Sequence, residues 1–409
     1  MATRASKKKE MKSLSEGGVF DLKSLDLGDE FVTAQDYTYA DVKDWVPTGI
    51  PEVDSALTGG LPMGRIIELY SPNNVGKTTL AIQINRQANS IGIPVFWFDV
   101  EGTNNRSHLE EMGVDMSMTS MYQPKDTDTT ATAIENIADQ MEKVMTRVHE
   151  AGIEAIFIWD SVGASMSKKT ITGDYDDQQP GREAKAMTRA LSKLTPLASS
   201  TNNMIILINQ IRDKMGAVMF GPQTDTPGGK ALKHFATFRI SLAKTKSNKL
   251  GGEEFGHQVK LKLEKSKLGQ PRVTADGVIL FGKYGFNETV NILASGAKNN
   301  LIKSPSNNKG KRYVLPDPDT GEVIEIFERE LPELIESGEI HKYDKALANL
   351  ENQLVQIYFP GGYPALENQN YSISKSAILS DIVAPESISE DDEVVSSDED
   401  IKEEKVEEE

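Results

Sequence analysis

The chain has 409 residues, a formal net charge of −17, 38% hydrophobic residues and no cysteine. The absence of thiols excludes disulfides, thiolate metal sites and a cysteine nucleophile, and no apolar run reaches the roughly 18 residues that a membrane helix needs. Residues 381 to 409 hold fourteen acidic residues and two lysines, a net charge of −12. Most of the acidity therefore belongs to one end, and the overall charge does not exclude a nucleic-acid partner.

The hydrophobic pattern divides the chain into four parts. Residues 1–45 are polar with a basic start, and 46–286 alternate regularly between strand-like and helix-like segments. Residues 287–373 have the pattern of a small α+β domain, whereas 374–409 are rich in Ser, Asp and Glu without aromatic residues. The last composition is typical of a disordered tail, because such a segment buries too little apolar surface to fold.

Short apolar runs alternate with helix-compatible segments through the second part. The strands are predicted at Arg65–Tyr70, Pro94–Asp99, Glu154–Asp160, Met204–Gln210, Thr237–Lys244, Gln258–Lys265 and Gly277–Phe281. The helices are predicted at Lys77–Ser90, Thr130–Glu150 and Arg182–Ser199, with a later one near Lys342–Tyr358. Continuously apolar strands separated by helices predict an α/β fold with a mostly parallel sheet covered on both faces. Met166–Gly181 and Arg212–Gly229 fit neither period, and loops of this length inside a compact domain are usually functional or disordered.

The segment that follows the first of these strands and opens a helix indicates a phosphate-binding P-loop. Its backbone N–H groups and the helix N-terminus would bind phosphate, Lys77 would reach the β- and γ-phosphates, and Thr78 would ligate Mg²⁺. Ser71 stands where the pattern usually has its first glycine. The nucleotide-binding residues are predicted to be Ser71, Pro72, Asn73, Asn74, Val75, Gly76, Lys77, Thr78 and Thr79.

Three other polar residues lie at or just beyond the ends of buried strands, where the carboxyl ends of a parallel sheet meet. Asp160 is a candidate for the Mg²⁺ hydration shell, although a helix-capping role is open. Glu101 is a candidate to orient and deprotonate the attacking water, or else a surface acid. Gln210 could sense the γ-phosphate, or simply satisfy nearby backbone groups.

The glycine-rich stretch after Gln210 combines cations with apolar residues, as expected of a loop that binds DNA. Cations would contact backbone phosphates, an exposed Met or Phe would stack on or wedge between bases, and glycines would allow close approach. The candidates in this stretch are Arg212, Lys214, Met219, Phe220, Gly228 and Gly229.

In order and spacing, these motifs resemble the bacterial RecA-type recombinases from about residue 47 to about residue 303. The resemblance rests on the strand Leu61–Tyr70 with its P-loop, on Glu101, on Asp160-Ser161, on Asn209-Gln210-Ile211-Arg212 and on the segment Thr224–Phe235. It implies a RecA-like ATPase core that uses ATP and Mg²⁺. It also implies a homo-oligomeric helical filament on single-stranded DNA, which pairs with double-stranded DNA and exchanges strands in recombination and repair.

The resemblance also implies roles for residues outside the core motifs. Lys265 and Lys267 match the paired lysines that enter the neighbouring subunit's ATP site, and His108 stands where the family often has a tyrosine against adenine. Lys185 matches an arginine of the family's DNA-contacting face. Phe31 and Ala34 are similar to a Phe-x-x-Ala subunit-contact motif of eukaryotic and archaeal recombinases, which makes the N-terminal segment a predicted subunit-contact element.

Two rival functions stay open at this level. A hexameric RecA-fold DNA motor shares the P-loop and the strand-end aspartate, and an ATP-binding recombination mediator would tolerate the altered Ser71. We expect a cytoplasmic protein of a bacterial cell or a phage-infected host, with single-strand-binding and mediator proteins as further partners and no membrane contact. The acidic tail could compete with DNA for the basic loops.

Overall fold

The computed structural model describes residues 31–34, 38, 41–125, 127–173, 181–213, 224–250, 253–269, 271–280, 284–308 and 310–360. Its strands are β1 (Trp45–Val46), β2 (Leu61–Pro62), β3 (Ile66–Ser71), β4 (Val95–Asp99), β5 (Thr119–Met121), β6 (Ile156–Asp160), β7 (Met204–Gln210), β8 (Arg212–Asp213), β9 (Thr224–Asp225), β10 (Phe238–Leu250), β11 (Glu253–Ser266), β12 (Thr274–Leu280), β13 (Ser306–Asn307), β14 (Gly310–Pro316) and β15 (Val323–Phe327).

The helices lie between and after these strands. They are α1 (Pro51–Ala56), α2 (Lys77–Ser90), α3 (Arg106–Glu111), α4 (Ile134–Glu150), α5 (Lys168–Thr172), α6 (Arg182–Ser200), α7 (Gly229–Phe235), α8 (Glu288–Lys298), α9 (Leu331–Glu336) and α10 (Asp344–Tyr358), with a 3₁₀ turn at Glu339–Tyr343 before the last.

Eight strands form one mixed sheet in the order β12-β11-β10-β3-β7-β6-β4-β5. The pairings from β10 through β5 are parallel, and β10, β11 and β12 pair antiparallel at one edge. The predicted α/β class with a mostly parallel sheet is therefore confirmed. The central strands β3, β7 and β6 are buried almost throughout, as parallel strands covered on both faces must be.

Each face of the sheet has its own hydrophobic core. On one face α2 packs over the sheet, and Leu80, Ile84 and Trp97 belong to its cluster. On the other face α4 and α6 pack over Phe157 and Trp159. Side chains of β6 belong alternately to the two cores, because successive side chains of a strand point to opposite sides of the sheet.

Most predicted boundaries fall within a few residues of the observed ones, and helix α2 agrees at both ends. Strands β10 and β11 are longer than predicted, because their polar outer halves pair with each other as a ribbon, and apolar runs do not mark such segments. The stretch Met166–Gly181 contains α5, which was not predicted. Ser167 caps this short helix by accepting a hydrogen bond from the Thr170 amide at 3.3 Å.

The segment after the sheet packs around a third apolar cluster built from α8, β14, β15, α9 and α10. Asn291 of α8 joins it to the sheet, donating to the Val278 carbonyl at 3.0 Å and accepting from the Val278 amide at 2.8 Å. The boundaries of the four predicted parts stay a prediction. Among the described residues, no helix is both long and apolar enough to span a bilayer.

Candidate active site

The P-loop joins the end of β3 to the start of α2 at the middle of the sheet. Two of its residues have left-handed backbone conformations, Asn74 with φ 57° and Gly76 with φ 108°. Glycine suits position 76 because φ 108° is a conformation that L side chains rarely adopt, and a Cβ there would also come 2.3 Å from Cδ1 of Ile279, which would have to shift. The loop thus turns sharply enough to direct the first amides of α2 toward a ligand.

Lys77 at the start of α2 is 7% exposed, and its ammonium folds back over the loop. Its Nζ donates to the Pro72 carbonyl at 3.0 Å, to the Ser71 hydroxyl at 3.2 Å and to the Ser71 carbonyl at 3.4 Å. Burial lowers the pKa of Lys77, while the nearby Asp160 and Glu101 carboxylates act in the opposite direction. Ser71, which replaces the usual glycine, therefore holds the lysine with its side chain.

Asp160 ends β6 beside the P-loop and is 3% exposed. The Thr78 hydroxyl donates to Asp160 Oδ2 at 2.9 Å, which brings together the two predicted metal-binding residues. Burial raises the pKa of Asp160 to about 6, and the charges of Glu101 and Asp99 add to this rise. The peptide bond between Asp160 and Ser161 is cis.

Glu101 and Gln210 meet at the same edge of the sheet. Gln210 Nε2 donates to Glu101 Oε1 at 3.4 Å, and the Ser161 hydroxyl donates to the same oxygen at 2.5 Å. The role of Ser161 as a holder of Glu101 was not predicted, since a serine after a strand-end aspartate has many local uses. The two predicted residues and Ser161 form one cluster around a single carboxylate oxygen.

The donor set suits a magnesium–nucleotide complex. Lys77 is a buried cation whose hydrogen-bond acceptors are neutral oxygens, and a phosphate would supply the missing negative charge at the helix N-terminus. Thr78 and Asp160 present hard oxygen ligands, which Mg²⁺ prefers. In the described part of the chain no three His, Asp or Glu residues cluster as a metal cage.

Lys265 and Lys267 lie at the end of β11, away from the P-loop of their own chain. The Lys265 ammonium donates to the carbonyls of Lys233, His234 and Ala236 at 2.6, 2.9 and 2.8 Å, so it caps the C-terminus of α7. Lys267 donates to the Phe235 carbonyl at 3.4 Å.

Burial, with Lys267 and Arg239 nearby, lowers the pKa of Lys265 to about 8. Neither lysine was predicted to cap a helix, and the contact depends on the fold bringing β11 against α7.

His108 is half-buried in α3, and its backbone amide donates to the capping side chain of Asn105 at 2.8 Å. Phe31 is 71% exposed and Ala34 is also exposed. Within the described part of the chain, the side chains of these three predicted site residues make no hydrogen bond, ion pair or ring contact. Their proposed roles need a bound nucleotide or a second subunit.

Of the predicted DNA-binding residues, the structure describes Lys185, Gly228 and Gly229 and the backbone of Arg212. Lys185 is exposed on the outer face of α6, and Gly228 and Gly229 start α7 with positive φ. Arg212 begins the short strand β8, whose side chains lie outside the described atoms. Lys214, Met219 and Phe220 lie outside the described residues.

A buried network behind Gln210 was missed by the sequence analysis. Glu68 of β3 is fully buried and pairs with the guanidinium of Arg239. Asn209 donates to Glu68 Oε1 at 3.0 Å and to the Pro227 carbonyl at 2.9 Å. The network thus joins the P-loop strand to the residues that precede α7. The charged residue inside the otherwise apolar strand β3 was the available signal.

The known proteins that resemble this chain belong to one family. A family model of the RecA N-terminal domain matches residues 26–286. Protein RecA of Methylococcus capsulatus is 34% identical over 313 residues, covering 76% of this chain and 85% of that protein. Protein RecA of Lactobacillus johnsonii is 32% identical over 299 residues, covering 70% and 79%, and that of Delftia acidovorans is 38% identical over 258 residues, covering 63% and 67%.

Proposed function

This chain belongs to the RecA family, and from that premise we propose how its residues couple ATP to DNA. The family assigns it RecA-type recombination and repair, with DNA binding and filament formation as the general activities. We propose that it is a DNA-dependent ATPase that pairs homologous DNA and exchanges strands. The observation that carries this proposal is the cluster in which Ser161 and Gln210 hold Glu101 beside Lys77, Thr78 and Asp160.

In the proposed reaction, the P-loop binds the phosphates of ATP and Lys77 leaves the carbonyls it now contacts for phosphate oxygens. Thr78 and Asp160 would hold Mg²⁺, which when bound neutralises charge on the β- and γ-phosphates. Glu101 accepts a proton from the attacking water, and the Ser161 hydroxyl, which donates to its Oε1, sets the direction of the free carboxylate oxygen.

Gln210 connects this site to DNA. Its amide contacts Glu101, and the chain after it enters the stretch Arg212–Gly229 that carries the predicted DNA-binding residues. A γ-phosphate that draws Gln210 away from Glu101 would move the start of that stretch. We propose that ATP in this way orders the loop for DNA and that hydrolysis releases it.

In the proposed filament, residues of the neighbouring subunit would complete the ATP site. Lys265 and Lys267 are proposed to enter the ATP site of the next subunit and stabilise negative charge in the transition state, as an arginine finger does. Phe31 and Ala34 are proposed to contact that neighbour, and His108 to lie against adenine. The comparisons favour a recombinase over the ring-shaped motor and the mediator considered from sequence.

The first test is ATP hydrolysis with and without single-stranded DNA, for the wild type and for Lys77→Ala. We expect strong stimulation by DNA in the wild type and loss of activity in the variant, since the variant lacks the only P-loop side-chain cation that can reach phosphate. Lys193→Ala, an exposed lysine that faces Glu142 on α4, is the matched control. If the wild type hydrolysed ATP at the same rate with and without DNA, the coupling assigned to Gln210 would be contradicted.

A further inference from the structure

A buried histidine of the sheet contacts the backbone of the P-loop. His257 of β11 is 4% exposed, and its Nε2 lies 3.3 Å from the carbonyl oxygen of Val75. A carbonyl oxygen can only accept a hydrogen bond, so Nε2 is the donor. The contact joins residues 182 positions apart in the chain, and the proposed steps of ATP binding and hydrolysis assign no role to this histidine.

The two outer strands of the sheet contact the loop side by side. His257 of β11 is the direct cross-strand partner of Ile279 of β12, so the two side chains lie on the same face of the sheet. Gly76 lies so close to Ile279 that a Cβ would come 2.3 Å from Cδ1 of that residue. Val75 packs in the same apolar cluster as Ile279. A hydrogen bond and apolar packing therefore hold the peptide between Val75 and Gly76 from the same side.

This peptide sets the direction of one amide in the predicted phosphate-binding loop. The Val75–Gly76 bond is trans, and in a planar trans peptide the C=O and the N–H point in opposite directions. Because the Val75 carbonyl is bound to His257, the Gly76 N–H points away from β11. Phosphate binding in such a loop depends on the directions of successive N–H groups, so a contact behind the peptide can affect the affinity for phosphate.

The histidine contact differs from the hydrogen bonds that Lys77 makes to the same loop. Lys77 Nζ donates to the carbonyls of Ser71 and Pro72, and it is proposed to leave them for phosphate oxygens. His257 donates to a different carbonyl and comes from the sheet, so its hydrogen bond can persist while a nucleotide is bound. A contact that is already made in the free chain reduces the conformational entropy that binding must remove.

We propose that His257 is a positioning residue of the nucleotide site, whose Nε2–H holds the Val75 carbonyl and so keeps the Gly76 N–H directed at the phosphates. The inference rests on the proposed function, because it concerns the same P-loop. It predicts that His257 acts on the phosphate part of the nucleotide. It also predicts that another side chain with a donor at the position of Nε2 can replace the histidine.

The test measures the affinity of the full chain for a fluorescent, non-hydrolysable ATP analogue, and for inorganic pyrophosphate that displaces the analogue. His257→Leu removes the donor, whereas His257→Gln keeps an amide N–H at about the reach of Nε2. We expect His257→Leu to weaken both affinities by about three- to tenfold, the effect of losing one hydrogen bond. His257→Gln should stay within about twofold of the wild type, because the donor is restored.

Val259→Ala is the matched control for a loss of packing. Val259 lies two residues further along β11, on the same face as His257 and in the apolar cluster that contains Val75, but its side chain has no donor. This variant should lower the melting temperature, because it leaves a cavity in the core. It should leave both affinities within about twofold of the wild type, because the hydrogen bond from His257 is kept.

Four results would contradict these expectations. Unchanged affinities in a folded His257→Leu chain would overturn the inference. Equal weakening in His257→Leu and His257→Gln, or a loss in Val259→Ala as large as in His257→Leu, would also overturn it, because packing and not the hydrogen bond would then position the loop. A loss for the analogue without a loss for pyrophosphate would overturn it by placing the effect at the nucleoside. If the wild type bound no nucleotide, the proposed function would be wrong, and the inference with it.

Discussion

The nucleotide loop depends on one backbone position more than on any side chain. Gly76 has φ 108° and lies against Ile279 of the edge strand β12, which is 4% exposed and packed in the core. Any side chain would both strain the backbone and push on the side chain of Ile279. The predicted phosphate loop therefore packs against the antiparallel edge of the sheet as well as against its own helix.

Gly76→Ala should weaken binding of an ATP analogue by more than tenfold and lower the free energy of unfolding by about 1–3 kcal/mol, from strained dihedrals and the contact with Ile279. Gly92→Ala is the control, because Gly92 also has positive φ but a Cβ there meets nothing within 4 Å. It should show a comparable or smaller loss of stability and unchanged binding. Urea unfolding and fluorescence titration measure the two quantities. Normal binding by a folded Gly76→Ala chain would show that the loop tolerates a side chain there.

Helix α7, which follows the predicted DNA-binding stretch, is held at both ends by residues distant in sequence. Asn209 reaches the Pro227 carbonyl just before its start, and Lys265 donates to three carbonyls at its end. Lysine near a helix C-terminus also interacts favourably with the helix dipole. The same lysine is the one proposed to enter the neighbouring ATP site, so this contact and the proposed contact in the filament would compete for one ammonium.

Lys265→Met should lower the free energy of unfolding of the nucleotide-free, DNA-free chain by about 1–3 kcal/mol, because it leaves the helix carbonyls unpaired. Amide hydrogen exchange in α7 should become faster. Lys262→Met, on the same strand in a surface pair with Glu264, is the control and should change stability by no more than about 0.5 kcal/mol. Equal stability of the two variants would mean that water replaces the cap at no cost.

At the scale of the whole molecule, the described segment after the sheet is joined to it by buried polar contacts as well as apolar packing. Asn291 satisfies both backbone groups of Val278, and Lys298 pairs with Glu52 of α1 and with Asp276 of β12. Val278 itself belongs to the apolar cluster of that segment. The sheet and the segment should therefore unfold together.

Asn291→Leu should lower the free energy of unfolding by about 2–4 kcal/mol, because the amide and carbonyl of Val278 both lose their partner in a buried setting. Asn299→Leu is the control. The Asn299 side chain bonds the Ser295 carbonyl and the Tyr358 hydroxyl, but the Ser295 carbonyl keeps the Asn299 backbone amide as a donor. Urea unfolding followed by fluorescence and by circular dichroism should give one coincident transition for the wild type. Two separate transitions would show that the segment unfolds independently.

Local signals determined much of the candidate site. The P-loop, Asp160, Glu101 and Gln210 were predictable, because in a parallel sheet the residues that end neighbouring strands must meet at one edge. The contacts that support them were not. These contacts are the hydrogen bonds from Ser161 to Glu101, from Asn209 to Glu68 and from Lys265 to the end of α7. They join residues that are far apart in the chain or common in type, so no spacing in the sequence predicts them.

The sequence by itself determined the α/β class, the family and the position of the phosphate loop, since all three follow from apolar periodicity and from short motifs whose geometry is local. Only the tertiary structure decided which edge of the sheet is antiparallel. It also placed Lys265 and Lys267 at the C-terminus of α7. The tertiary structure decided as well that Ser161 and Gln210 donate to the same oxygen of Glu101. These features depend on contacts between segments that are remote in the chain. The free energy of such contacts arises only when the segments pack together, so the sequence of one segment does not reveal it.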